Sequence, residues 1–334
     1  MTGARGNLVR RSWRQAIART PESAPAYLSL AKLVAAGDAL TALGRAYALA
    51  GTAPEVARAY AHGASAAGDA ARCRAVLRAA VAREARPETL VDLAVVESRL
   101  GLGVAATHLR RALALAPDLA AAHAALGNRG DAAEVRFLRA LAIEPRHGGA
   151  LVNLANLWRD GARLDDSLTL LRRAASLLPA DPVTLYNLAN TRHIAGEAEA
   201  AARGYRAALA LEARDGWRAR EAMLLPPIPA SIGEIRRWRA RFVERVARLA
   251  ASPLRIDDPL SEGHWTSFHL AYHDEDDRPL QEAVARLWRH ACPALARTDL
   301  RAHDGRPRLG FLSAYLRDHT IGHLFRGVIG AIDR

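Results

Sequence analysis

The sequence predicts a mainly α-helical chain whose larger part is a solenoid of stacked helical hairpins. Three observations lead there. Of 334 residues, 74 are alanine and only 5% are aromatic. Alanine favours helix and lets helices approach closely, whereas a β-sandwich or barrel would draw on more Val, Ile, Thr and aromatic side chains. Segments 110–118, 138–146 and 171–181 end alike, and 205–215 comes after them. Finally, Pro145 and Pro179 lie 34 residues apart, and a further 34 falls on Ala213, a spacing that belongs to repeated helix–turn–helix units.

The two most regular units bear this out position by position. Leu151, Leu154, Ala155 and Trp158 fall where a first helix packs, and Ser167, Leu171, Ala174 and Pro179 where a second packs and ends. Leu185, Leu188, Ala189, Ala201, Tyr205 and Ala208 take the matching places, with Gly161 and Gly196 at the turns. Proline at the unit's end cannot extend the helix and sets the next turn. The period and pattern are those of tetratricopeptide repeats, expected over 85–215. Upstream, Pro117 to Pro145 is only 28 residues, so a turn and part of a helix are shortened around 127–131. Residues 1–84 read as degenerate helical repeats.

Composition narrows the function. The net charge is +12, almost all of it arginine spread along the chain, with Lys32 the single lysine. Nucleic acid is therefore not the expected partner, since binding wants a gathered basic face. Cys73 and Cys292 are too few for a disulfide framework or a cysteine-rich zinc site. No run approaches the roughly 18–20 apolar residues of a membrane span, and the N-terminus lacks the apolar core of a secretory signal. A cytoplasmic protein without membrane contact is expected. His269 and His273 are four apart, a spacing that can put two ligands on one helix face. No third ligand stands at a recognisable spacing, so no metal is expected.

The repeat also repeats amides. Asn153 and Asn156 lie in one first helix, Asn187 and Asn190 lie 34 residues on, and Asn128 matches the second place in the shortened unit. Residues three apart share a helix face. First helices line the concave side of such a solenoid, so the amides are candidates for a ladder along one wall. An amide both donates to and accepts from a peptide group, and a ladder would grip an extended polypeptide without reading its side chains. The alternative is that these amides cap turns or bond within the array.

After the repeats comes a break at 224–231, where Pro226, Pro227 and Pro229 forbid helix. A Pro-rich link and helical transitional region is expected over 216–305, with helices near 232–249 and 279–291. Residues 308–313 read as a buried strand, 314–318 as a loop and 319–332 as a helix that begins at His319. Ligands gather at such strand ends, and an imidazole there can serve as a base.

Together, the repeats, the Pro-rich link and the segment RPRLGFLSAYLRDHTIGHL at 306–324 resemble the bacterial SPINDLY-like relatives of protein O-linked N-acetylglucosamine transferase; 268–295 is similar to the stretch preceding their catalytic domain. The resemblance covers about 85–334. It implies a two-lobed GT-B glycosyltransferase domain, Rossmann-like in each lobe, of which 306–334 would be the incomplete first βα unit. It implies transfer of an N-acetylglucosamine-type sugar from a nucleotide-sugar donor, a UDP-sugar, to Ser or Thr of proteins recruited by the repeats. It places His319 at the active site as a candidate catalytic base and His323 on a second motif histidine. The family motif often carries Asp-Phe where this chain has Tyr315-Leu316, and Pro where it has Thr320. With the nucleotide-binding lobe missing, the chain is expected to recruit acceptors rather than transfer sugar alone. The alternative is a non-catalytic repeat scaffold for protein–protein interaction.

Overall fold

The computed structural model describes residues 17–34, 36–130, 132–258, 267–296 and 320–331, with Arg11, Gln15 and Glu262. Among them every regular element is helical. Paired helices run from the N-terminal side onward: α1 (Ala24–Ala31) with α2 (Ala36–Ala50), α3 (Pro54–Ala66) with α4 (Ala70–Arg83), α5 (Pro87–Arg99) with α6 (Ala105–Leu115), α7 (Ala120–Gly127) with α8 (Ala133–Ile143), α9 (Gly148–Asp160) with α10 (Leu164–Leu177), and α11 (Pro182–Ile194) with α12 (Ala198–Leu211). Each second helix packs on its own first helix and on the next one. This is a tetratricopeptide-repeat solenoid.

Local chemistry starts these helices. Pro54, Pro87 and Pro182 occupy first-turn positions, where a missing N–H costs nothing. Asp69 accepts from the Arg72 backbone N–H and Asp181 from that of Thr184, each satisfying a donor the helix leaves open. The 28-residue spacing shows as the short α7. Its Gly127 lies flat against Phe137: a β-carbon there would sit 2.6 Å from the ring. Two helices that close need glycine at the crossing.

Burial is divided among separate clusters rather than pooled. Cys73, Leu77 and Leu93 belong to one, Leu90, Leu109 and Leu126 to the next, then Phe137 with Leu154, then Leu151 with Leu171 and Leu188. Each draws on neighbouring hairpins, so none closes alone. The last cluster is the largest. Tyr205 of α12 packs there with residues of α13 (Asp215–Ala222), α14 (Ile232–Ala250) and α15 (Arg278–Ala291), including the fully buried Trp238 and Phe242. The prolines of 224–231 interrupt helix as expected, while Leu224 and Leu225 beside them are buried. Ser231 starts α14 by accepting from the Glu234 N–H, and Glu234 reaches back to the Ala230 N–H at 2.6 Å.

The chain divides into two compact units, Met1–Cys292 and Pro293–Arg334. The described part of the second unit is a short 3-10 turn, Pro293–Ala296, and α16 (Thr320–Gly330). The GT-B βα unit expected over 306–334 is therefore not seen: among the described residues there is a helix and no strand. The strand expected at 308–313, and His319, lie outside the described residues. No described helix is long and apolar enough to cross a membrane.

Candidate functional site

Consecutive first helices touch one another, α1 with α3, α3 with α5, α5 with α7 and α9 with α11, while consecutive second helices are held further apart among the described residues. A stack whose first helices lie closer together than its second helices curves toward the first. The first helices therefore line the inner, concave face.

The face changes along its length. At one end Arg58 Nε donates to Asp92 Oδ2 at 2.6 Å and His62 Nε2 lies 3.1 Å from the same oxygen. Burial alone would raise the Asp92 carboxyl, yet the hydrogen bonds from His62 and Arg58 bring it below its ordinary value. The same bond to Asp92 raises the His62 imidazole. In the middle, a cavity of about 560 Å³ opens between α5 and α7, with Val95, Ser98, Arg99, Asn128 and Arg129 among its walls. Arg129 donates to Ser98 at 3.0 Å and Arg99 to Ser65 at 3.3 Å. The two guanidiniums thus lean on hydroxyls of the preceding hairpins.

The predicted amides do not present themselves alike. Asn153 Nδ2 donates to Asn128 Oδ1 at 2.7 Å, joining two hairpins edge to edge beside that cavity. Asn156 accepts from Arg159 at 2.9 Å and is half-buried. Asn187 donates to the Val183 carbonyl one turn back. Asn190 is buried, and its Oδ1 accepts from the Tyr205 hydroxyl at 2.7 Å. That hydroxyl in turn accepts from Arg220 Nε at 2.9 Å. Burial pushes the Tyr205 phenol up to about 12, so it stays a neutral donor. Asn128 and Asn153 are thus brought together on the face, Asn156 pairs with Arg159 of its own helix, and Asn190 is drawn into the core.

The far end of the face is covered. His193 Nε2 bonds the Leu225 carbonyl at 2.8 Å, and burial lowers its imidazole to about 4. Tyr186 stacks on Trp217 with ring centroids 4.3 Å apart, and the Arg214 guanidinium lies over the same indole at 4.5 Å from its centroid. Sequence reasoning missed Arg99, Arg129 and the Tyr205–Arg220 pair. The two cavity arginines carry no repeated signal, and the partnership of Arg220 with Tyr205 comes from outside the 34-residue period. His269 and His273 are both lowered by burial, and no group of metal-holding residues occurs among the described residues. His323 is exposed on α16.

No family model matches the sequence, and no curated protein matches it. Solved structures do. The crystal structure of the APC/C hetero-tetramer Cut9–Hcn1 is similar at 18% identity and a TM-score of 0.51, covering 62% of this chain and 43% of that one. The chain thus spans less than half the length of that relative. A thermophilic TPR protein of Thermus thermophilus, TTC0263, is similar at 20% identity over 51% of this chain and 97% of its own, with a TM-score of 0.45. The type IV pilus biogenesis factor PilW is similar at 19% identity over 60% and 93%, with a TM-score of 0.48. The likeness is one of fold.

Proposed function

We propose that this chain is a protein-binding scaffold whose concave face receives an extended segment of a partner polypeptide. The observation that carries this reading is the Asn128–Asn153 amide pair at the rim of the roughly 560 Å³ cavity, with Arg99, Arg129 and the exposed Val95 beside it. Amides and guanidiniums bond a peptide backbone, and the apolar wall takes a side chain. A fold relative sits in a hetero-tetramer, a setting that suits a solenoid whose role is to hold other chains. The test is binding of an extended-peptide library to the full chain, read by fluorescence polarisation and by hydrogen exchange. Peptides selected on the wild type should protect α5, α7 and α9 and weaken when Asn128 and Asn153 are both changed to Ala. Equal binding by that double variant would overturn the reading.

A second reading rests on the sequence of 306–324 alone. In it the scaffold recruits acceptors for sugar transfer from a UDP-sugar, with His319 as base and His323 as the second histidine of the motif. Transfer of N-acetylglucosamine to lysate protein by a form carrying a complete catalytic domain, lost in His319→Ala, would support it.

A further inference from the structure

We infer that a second site lies away from the concave face, in a pocket between α4 and α6, and that it takes a phosphate monoester carried on a small apolar group. The pocket arises from one substitution in the repeat. Leu93, Ala94 and Glu97 match Leu154, Ala155 and Trp158 at the corresponding places of two first helices. Where Trp158 fills the space with an indole, Glu97 leaves a cavity of about 500 Å³, within the range of small-ligand sites.

A carboxylate that is only 1% exposed demands partners, because an unpaired buried charge is costly. Glu97 has two. Arg74 Nε donates to Oε1 at 3.2 Å, and His108 Nε2 lies 3.2 Å from Oε2 without completing a hydrogen bond to it. Arg74 thereby balances the charge of the floor. Further positive charge remains at the mouth. Arg78 lies one turn on from Arg74, and Arg111 one turn on from His108, each on a different hairpin. Both are exposed, and neither makes an ion pair or side-chain hydrogen bond among the described residues. Unspent guanidiniums on two sides of one pocket call for an anion. Two forks offer more donors than the two oxygens of a carboxylate use, whereas the three terminal oxygens of a phosphate monoester can engage both. Val81, Leu93 and Val104 make the rest of the wall apolar, which suits the organic part.

Such an ester comes from a free metabolite or from a phosphorylated side chain. The experiment titrates the full chain at low salt with phenyl phosphate, a phosphotyrosine peptide, inorganic phosphate and benzoate, by calorimetry. The expected result is saturable 1:1 binding of a monoester, tighter than inorganic phosphate or benzoate; the tighter of the first two names the source. Arg78→Ala with Arg111→Ala should weaken it roughly tenfold to a hundredfold, the worth of lost charge-assisted bonds. Val104→Trp, at an exposed rim position, should block it while leaving both arginines in place. Asn128→Ala with Asn153→Ala should leave it unchanged, separating this site from the groove. No saturable binding, benzoate binding as tightly as the ester, or affinity undiminished in either pocket variant would overturn the assignment.

Discussion

The helices α9 and α11 carry the same asparagine pair 34 residues apart, yet they live in different surroundings. In α9 the amides of Asn153 and Asn156 bond to Asn128 and Arg159 at the surface of the concave face. In α11 the second amide is taken by Tyr205, and the next turn's His193 is held by the Leu225 carbonyl. The place of His193 is filled in α9 by Arg159, which is only half-buried. The difference comes from the neighbouring elements. α9 is succeeded by another hairpin, whereas α11 is succeeded by the enlarged cluster of α13, α14 and α15, which supplies Arg220 and Leu225. A repeat unit thus takes its role from its neighbour as much as from its own residues, and the open wall ends where the covering helices begin.

The sharpest way to break this comparison is acid. His193 has a folded pKa of about 4 against 6.5 unfolded, so the unfolded chain binds the extra proton between those values. The stability is fully present above pH 6.5 and is lost as pH falls toward 4. Unfolding tracked by tryptophan fluorescence should show a loss of about 2 kcal/mol at pH 5 relative to pH 8. His269 and His273, lowered by burial, act with the same sign, while the raised His62 acts against it. The figure is therefore read as the difference between wild type and His193→Gln. Identical pH dependence in the two would remove the covered end from the comparison.

Next in size is the amide itself. Asn190→Ala strands the Tyr205 hydroxyl in the core and should cost about 1–3 kcal/mol, against about 0.5 kcal/mol or less for Asn156→Ala. Equal losses in urea titrations would mean that the two helices are not differently placed. Caps give a smaller contrast. Asp181 accepts from the N–H and hydroxyl of Thr184, whereas α9 is capped by His147 Nδ1 accepting from Ala150 at 3.1 Å. Asp181→Ala should lower stability by about 1 kcal/mol, and His147→Ala by less, as judged by amide exchange in each helix. The smallest expected effect on stability is that of Asn153→Ala, within about 0.5 kcal/mol. Its signature is a loss of peptide affinity without a shift in melting.

Much of this was legible in the sequence. The 34-residue spacing located the helical hairpins, the shortened unit appeared where Gly127 meets Phe137, and the prolines after Leu225 marked a break. Local chemistry sets those features, so a local reading finds them. The inequality of the asparagines was not legible. It depends on Tyr205 and Arg220, which lie 15 and 30 residues beyond Asn190 and meet it only when three helices stack. The burial of Glu97 was hidden for the same reason, since Arg74 and His108 come from the helices on either side. The resemblance to glycosyltransferases drew on the terminal segment, where the described residues supply a helix and no strand.

The serial arrangement of the apolar clusters has a consequence for how the molecule comes apart. A chain whose burial is divided hairpin by hairpin melts as a travelling front rather than all at once. The front meets its strongest barrier at the cluster holding Tyr205, Trp238 and Phe242. Amide exchange should therefore slow progressively from α1 toward α14. Damage at Asn190 would lower that barrier, while damage at Asn153 would leave it standing.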